Sequence, residues 1–289
     1  MEVEEVGSNP TKLAQEVLRQ LAYEDGHIQI HAVAKGLDID EIRAELLTNF
    51  EGALLTNNER SIGKILVNTN SRRHRQRFTI AHELGHFLNL AHRPTTGESF
   101  LCSKLEIAAV NTGRKSSQTR HEIQEQEANR FAIELLAPKK RVEHLSRDQP
   151  CFHDIQAISA EFDISKQAAA HRYVELHPAP LAILFSENGR VCKARRNDVA
   201  PSLRSFQELE LPVEHRLVAK GSTVGPTQVN PEKWIASPMT SEIWIETFAQ
   251  ANGHSMTLVS IDFDYIASNE GDEAGIEDAF QRFSRHNER

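Results

Sequence analysis

Cysteine is scarce in this chain: Cys102, Cys151 and Cys192 are odd in number and far apart. None stands in the C-x-x-C spacing of thiolate zinc or redox sites, so they read as plain reduced thiols. The opening residues also show no leader pattern. The first 30 residues are acidic and amphipathic, with no basic start followed by an apolar run. No later stretch of about 18 apolar residues appears, and these absences together predict a cytoplasmic protein that does not enter a membrane. Positive charge is in deficit, with 33 Lys and Arg against 41 Asp and Glu, a net charge of -8 and a pI near 6.0. That balance argues against a surface-wide nucleic-acid footprint and leaves room only for a local basic patch. Internal repeats are absent.

The remaining composition, 39% hydrophobic and 26% charged, is that of a globular chain that folds without staples. At 289 residues it is long enough for two domains with a small helical insert. Leu13, Val17, Leu18 and Leu21 lie at helical spacing over residues 10–24, with Asn9 as cap and Pro10 in the first helical position. A short helix ends at Gly36, and three strand-like runs follow, EIRAELL, EGALLTN and GKILVN, which predict a small antiparallel sheet. From Ser71 to about Leu90 the period turns helical, with Phe78, Ile80, Ala81, Leu84, Phe87 and Leu88 as its apolar stripe. Residues 94–120, polar except for LEIAAV, read as a mobile loop, and a second amphipathic helix spans 121–138. DIQAISAEFDISKQAAAHRYVEL then reads as two helices around a turn at Phe162 to Ser165. After Pro178 the strand-like runs LAILFSE, RVCKARR, RLVAKGS, EIWIETFAQ and SMTLVSIDFD predict a mainly β unit, the last two flanking a turn at 251–254. A short helix closes the chain over 271–289.

The first long helix carries His82-Glu83-Leu84-Gly85-His86, an H-E-x-x-H pattern. Two imidazoles four residues apart share one helix face and can reach one Zn2+ at about 2.1 Å. Glu83 beside them can take a proton from water that the metal activates and return it to a leaving amine. Five residues with two free positions match often by chance, as two surface histidines would. The apolar residues on both sides of this motif place it in a buried element instead.

Catalytic zinc takes three protein ligands, and two sources compete for the third. His92 completes His86-x-x-Asn89-x-x-His92, the metzincin spacing, but the later methionines, Met239 and Met256, lie in the β unit and supply no Met-turn. Alternatively the second helix, packed antiparallel, offers Glu122, Glu125, Glu127 or Glu134.

The residues RQRFTIAHELGH at 75–86, followed by EQEANRFAIELLAP at 125–138, resemble the ImmA/IrrE family of zinc metallopeptidases, which are gluzincin-like H-E-x-x-H enzymes. The two blocks cover about 26 positions, in the family's order and on helices. Position by position, the resemblance implies His82 and His86 as zinc ligands, Glu83 as the catalytic acid and base, and Glu125 as the third ligand, with Glu127 in reserve. Asn129, one turn beyond Glu125, is placed to orient a ligand rather than to serve only as a packing hydrogen bond.

The expected fold is α+β. A zincin-like peptidase domain with a small sheet and the H-E-x-x-H helix covers 1–145, a helix-turn-helix-like segment 146–178, and a mainly β, sensory or regulatory domain 179–289. The resemblance implies a protein substrate, a helix-turn-helix transcriptional repressor in phage, mobile-element or stress-response control. Two other readings stand beside it: a DNA-binding or antitoxin-like regulator with an idle zinc site, and a metzincin-like peptidase that uses His92. For DNA contact the recognition helix would be Ser165 to Tyr173, with Lys166, Gln167, His171 and Arg172 facing out. The acidic balance makes that contact the weaker expectation. The basic run from Arg72 to Arg77 reads as a solvated helix start, and Trp234, Trp244 and Phe248 as either core or a pocket lining.

Overall fold

The computed structural model describes residues 6–23, 25–57, 59–94, 99–103, 119–236 and 241–263. Helix α1 (Pro10–Gln20) is capped by Asn9, whose side chain accepts from the Lys12 N–H at 3.0 Å. It stops short of residue 24 because Ala22 adopts a φ of +46°. Helix α2 (Ile30–Gly36) leads into a four-stranded sheet of β1 (Ile39–Glu45), β2 (Phe50–Thr56), β3 (Gly63–Asn68) and β4 (Ser99–Ser103), in the order β1-β3-β2-β4.

Two expectations change in this sheet. It is mixed rather than antiparallel, because β1 pairs parallel to β3 while β2 runs antiparallel to β3 and β4. The stretch expected as one long loop also contains β4, a five-residue edge strand whose pairing with the distant β2 has no local signal among its polar flanks. LEIAAV lies outside the described residues.

Helix α3 (Arg73–Leu88) lies against β2 and β3, and α4 (Arg120–Leu136) packs on α3 and α1. Thr119 and Glu122 close α4 with a reciprocal capping box. Three further helices follow, α5 (Lys139–Leu145), α6 (Phe152–Glu161) and α7 (Lys166–Leu176). The α6–α7 turn falls where predicted, with Asp163 at φ +50° and Ser165 capping α7 at the Ala168 N–H, 3.1 Å.

The predicted exposure of α7 is corrected. Lys166 and Gln167 do face out, but Arg172 is 1% exposed and His171 is half-buried against Phe185, ring centroids 5.0 Å apart. Arg172 turns inward because Glu134 of α4 and the Ala137 carbonyl await it there, the latter at 3.1 Å.

The C-terminal part is a five-stranded antiparallel sheet of β5 (Leu181–Glu187), β6 (Arg190–Arg196), β7 (Thr223–Val229), β8 (Ser241–Ala249) and β9 (His254–Phe263), in the order β6-β5-β9-β8-β7. Short helices α8 (Val213–Arg216) and α9 (Pro231–Trp234) lie in its connections. RLVAKGS is not a strand. It starts on Arg216, the last residue of α8, and continues as a turn with Leu217 exposed and Gly221 at φ +82°, and the strand begins after it at Thr223. The predicted 251–254 turn is present, with Asn252 and Gly253 both at positive φ. The terminal helix expected over 271–289 lies outside the described residues.

One hydrophobic cluster runs from Leu13 and Val17 through Leu84 and Phe131, then Phe152, Tyr173 and Val174, to Phe248 and Leu258. A second, around Leu184, Trp234 and Ile245, belongs to the C-terminal sheet and its connections. Trp234 and Phe248 are thus core, while Trp244 is half-buried. Among the described residues no helix is long and apolar enough to cross a membrane.

Candidate metal centre

The two long helices approach closely because α3 carries glycine where they cross. A Cβ on Gly85 would stand 3.1 Å from the Ala128 Cα and 3.2 Å from the Phe131 Cβ. On the sheet side Gly52 plays the same part for β2, where a Cβ would stand 2.2 Å from Thr79 Cγ2 and 3.3 Å from Glu83 Oε1. His82, Glu83 and His86 therefore sit between sheet and helix, at most 1% exposed.

Across the helix contact, Glu125 reaches His82 Nε2 and His86 Nε2, each at 3.2 Å, and the two Nε2 atoms lie 3.1 Å apart. These residues form a group of metal-ligating atoms within 4.8 Å of one another. The donor chemistry fits zinc, since ligands at about 2.1 Å in a tetrahedron lie roughly 3.4 Å from one another. Both carboxylate oxygens of Glu83 are buried with no hydrogen-bond partner among the described residues. An orphaned carboxylate next to converging nitrogens is what a site built for an additional group looks like.

The far nitrogen of each imidazole is held. His82 Nδ1 lies 3.0 Å from Asn129 Oδ1, and His86 Nδ1 lies 2.9 Å from His92 Nδ1. His92 is not at the His-His-Glu cluster. It stands behind His86, with its Nε2 2.9 Å from Glu127 Oε2 and 2.8 Å from Asn89 Nδ2. Phe100 of β4 stacks on His86 with ring centroids 4.9 Å apart, and His121 Nδ1 approaches Glu125 Oε1 at 3.9 Å. The four candidate glutamates of α4 have four different places: Glu122 caps the helix, Glu125 meets the histidines, Glu127 meets His92, and Glu134 meets Arg172.

Electrostatics follow the burial. Glu83 is held well above the usual carboxylate range, first by burial and then by the negative charge of Glu125. Burial pushes His86 down to about 3, against the pull of Glu125. Burial alone would raise Glu125, but hydrogen bonds from His82 and His86 outweigh it and keep this carboxyl ionised.

Some parts of the centre have no local signature in the sequence. Arg60, in the β2–β3 connection, donates to the carbonyls of His86, Phe87, Asn89 and His92 and so ties down the C-terminal end of α3. Nothing near Arg60 in the chain marks that role, because its partners lie at least 26 positions away. His92 did have a signal in its spacing, but the spacing alone cannot tell a ligand from a residue that backs one.

Fold and geometry together define an α+β domain that offers a divalent cation two imidazoles and a carboxylate, with a second carboxylate alongside. Residues 34–173 match the family model of the IrrE N-terminal-like domain, Peptidase_M78, which supports the resemblance to the ImmA/IrrE family. A solved structure of a Mycobacterium tuberculosis transcriptional regulator is similar over 87% of this chain and 75% of its own, with a TM-score of 0.55 and 14% identity. At that identity the likeness concerns the fold alone. Curated proteins gave no match.

Proposed function

We propose that this chain is a zinc-dependent endopeptidase in which His82, His86 and Glu125 hold the ion and Glu83 serves as general base and acid. The observation that carries this reading is the convergence of two Nε2 atoms and the Glu125 carboxylate, at 3.1 to 3.2 Å, beside a buried glutamate whose oxygens are unengaged. Bound there, zinc supplies Lewis acidity.

The chain's own residues do the rest. Glu83, held above the usual carboxylate range by burial and by the charge of Glu125, binds a proton more tightly than a free carboxylate does, the direction a general base needs. One of its carboxylate oxygens takes the proton of the attacking water and later gives it to the leaving amine. Asn129 holds His82 in place, and Phe100 shields the His86 ring from water.

For the substrate we favour a helix-turn-helix transcriptional repressor, cut in the cytoplasm as part of phage, mobile-element or stress-response control. The match of residues 34–173 to the IrrE N-terminal-like domain supports this, and likeness to a structure named as a transcriptional regulator agrees with it. The segment 146–178 and the sheet over 179–289 would be the regulatory parts built onto the peptidase domain. A DNA-binding regulator with an idle metal site is disfavoured, because Arg172, one of the side chains it would use, is buried in an ion pair.

The test is incubation of the zinc-loaded protein with the repressor encoded beside it, followed by mass spectrometry of the fragments. The wild type should cut and bind one equivalent of zinc. Glu83→Gln should keep the zinc and lose the cleavage, while His82→Ala, His86→Ala and Glu125→Ala should lose most of the zinc. Cleavage by Glu83→Gln at the wild-type rate, or unchanged zinc in the three ligand variants, would overturn the reading.

A further inference from the structure

We propose that Glu127 and His92 form a relay that sets the tautomer and orientation of His86; the inference rests on the metal-site reading above. His86 turns its Nε2 toward His82 and Glu125, so this is the nitrogen that must offer a bare lone pair to a cation. A neutral imidazole then carries its proton on Nδ1. That Nδ1–H points at His92 Nδ1, 2.9 Å away, and two N–H groups cannot face each other, so His92 must keep Nδ1 bare and carry its own proton on Nε2. The His92 Nε2–H in turn meets the Glu127 carboxylate at 2.9 Å. Each proton along Glu127–His92–His86 has one place consistent with metal binding. The line is one imidazole longer than the carboxylate–histidine pair that commonly backs a zinc ligand.

His92 Nε2 has a second neighbour that would select the opposite state. The Asn89 amide nitrogen lies 2.8 Å from it and donates, which suits a His92 protonated on Nδ1. That tautomer would press a proton onto the Nδ1 side of His86 and leave its Nε2 protonated, unable to bind a metal. A hydrogen bond to a carboxylate is roughly twice as strong as one between neutral groups, so Glu127 decides the outcome against Asn89. Arg60 fixes the backbone on which this depends, since it binds the carbonyls of His86, Asn89 and His92 at once. The geometry also answers the metzincin-like alternative: both ring nitrogens of His92 are engaged behind His86, so His92 is a positioning residue and not a ligand.

The experiment measures zinc dissociation constants of the full chain by chelator competition, for wild type, His92→Phe, Glu127→Ala, the double variant and His86→Ala. His92→Phe should weaken zinc about 10- to 100-fold, the usual effect of losing a residue behind a ligand. Glu127→Ala, at a partly exposed position, should weaken it in the same direction, and the double variant should be no weaker than His92→Phe alone. Imidazole 15N spectra of the metal-free wild type should show His92 protonated on Nε2, and Glu127→Ala should shift that proton to Nδ1, the form that Asn89 selects. Wild-type affinity in both single variants, or losses that multiply in the double variant, would overturn the relay. Loss of zinc in His92→Phe as complete as in His86→Ala would also overturn it, by making His92 a ligand. Wild-type affinity in His86→Ala would instead sink the metal site itself, a separate failure.

Discussion

Gly85 costs its helix about 1 kcal/mol relative to alanine, and what it permits is the approach of α4. A methyl group there would meet the Ala128 Cα and the Phe131 Cβ at 3.1 and 3.2 Å, so the helices would have to separate by a few tenths of an ångström. Glu125 rides on the helix that would move, and its distance to both histidines would grow. Gly85→Ala should therefore destabilise the metal-free protein by about 1–3 kcal/mol, as overpacking does, and should weaken zinc binding as well. Urea unfolding with and without chelator reads both effects. Wild-type values in both would mean that glycine does not set the helix contact. The case differs from Glu83, where a change to Gln preserves shape and should leave stability and zinc content nearly untouched while removing proton transfer.

Helix α7 shows what an element gains from being read in three dimensions. Arg172 is fully buried and donates to Glu134 and to the Ala137 carbonyl. Arg172→Ala would strand a buried carboxylate, a loss of about 3–5 kcal/mol in denaturant unfolding, whereas an outward-facing DNA contact could be removed with no change in stability. His171 on the same helix has a buried Nδ1 with no hydrogen-bond partner among the described residues, and it faces Lys193 and Arg195 of β6 and Glu175 of its own helix. Burial and then those two cations push it down to about 3, well below the ordinary 6.5. The unfolded chain therefore takes up a proton first, so the stability this residue contributes is complete above about pH 6.5 and is lost as pH falls toward 3. Allowing for its partial exposure, His171 should account for about 1–2 kcal/mol of lost stability between pH 7 and 5, and His171→Gln should flatten the curve by that amount; parallel curves would refute it. The existence of α7, its start at Ser165 and the turn before it were legible in the sequence, because caps and apolar spacing are local signals. The direction of Arg172 was not, since its partner Glu134 is 38 positions away and a charged residue on a short helix normally faces water. The same limit hid the parallel pairing of β1 with β3 and the edge strand β4, whose pairing is set by register with distant strands.

At the scale of the whole molecule, the helical segment does not hang between two independent bodies. Phe152 of α6 stacks on Phe248 of β8 with ring centroids 5.2 Å apart, and the Phe152 N–H donates to Glu246 at 2.6 Å. Phe152, Ile155, Val174, Ile183, Phe248 and Leu258 share the apolar cluster that also holds Ile80, Ala81 and Leu84 of α3. A core that crosses from α3 to the C-terminal sheet joins the sheet to α7, and through Arg172 and Glu134 to α4, the helix that carries Glu125 and Asn129. The physical expectation is cooperative unfolding. Calorimetry of the metal-free full chain should show one transition, with equal calorimetric and van't Hoff enthalpies. Phe248→Ala, which empties a buried aromatic site at the joint, should cost about 3–5 kcal/mol and lower that single transition. Two separated transitions, with Phe248→Ala shifting only one of them, would show that the C-terminal sheet folds apart from the α3–α4 part of the chain.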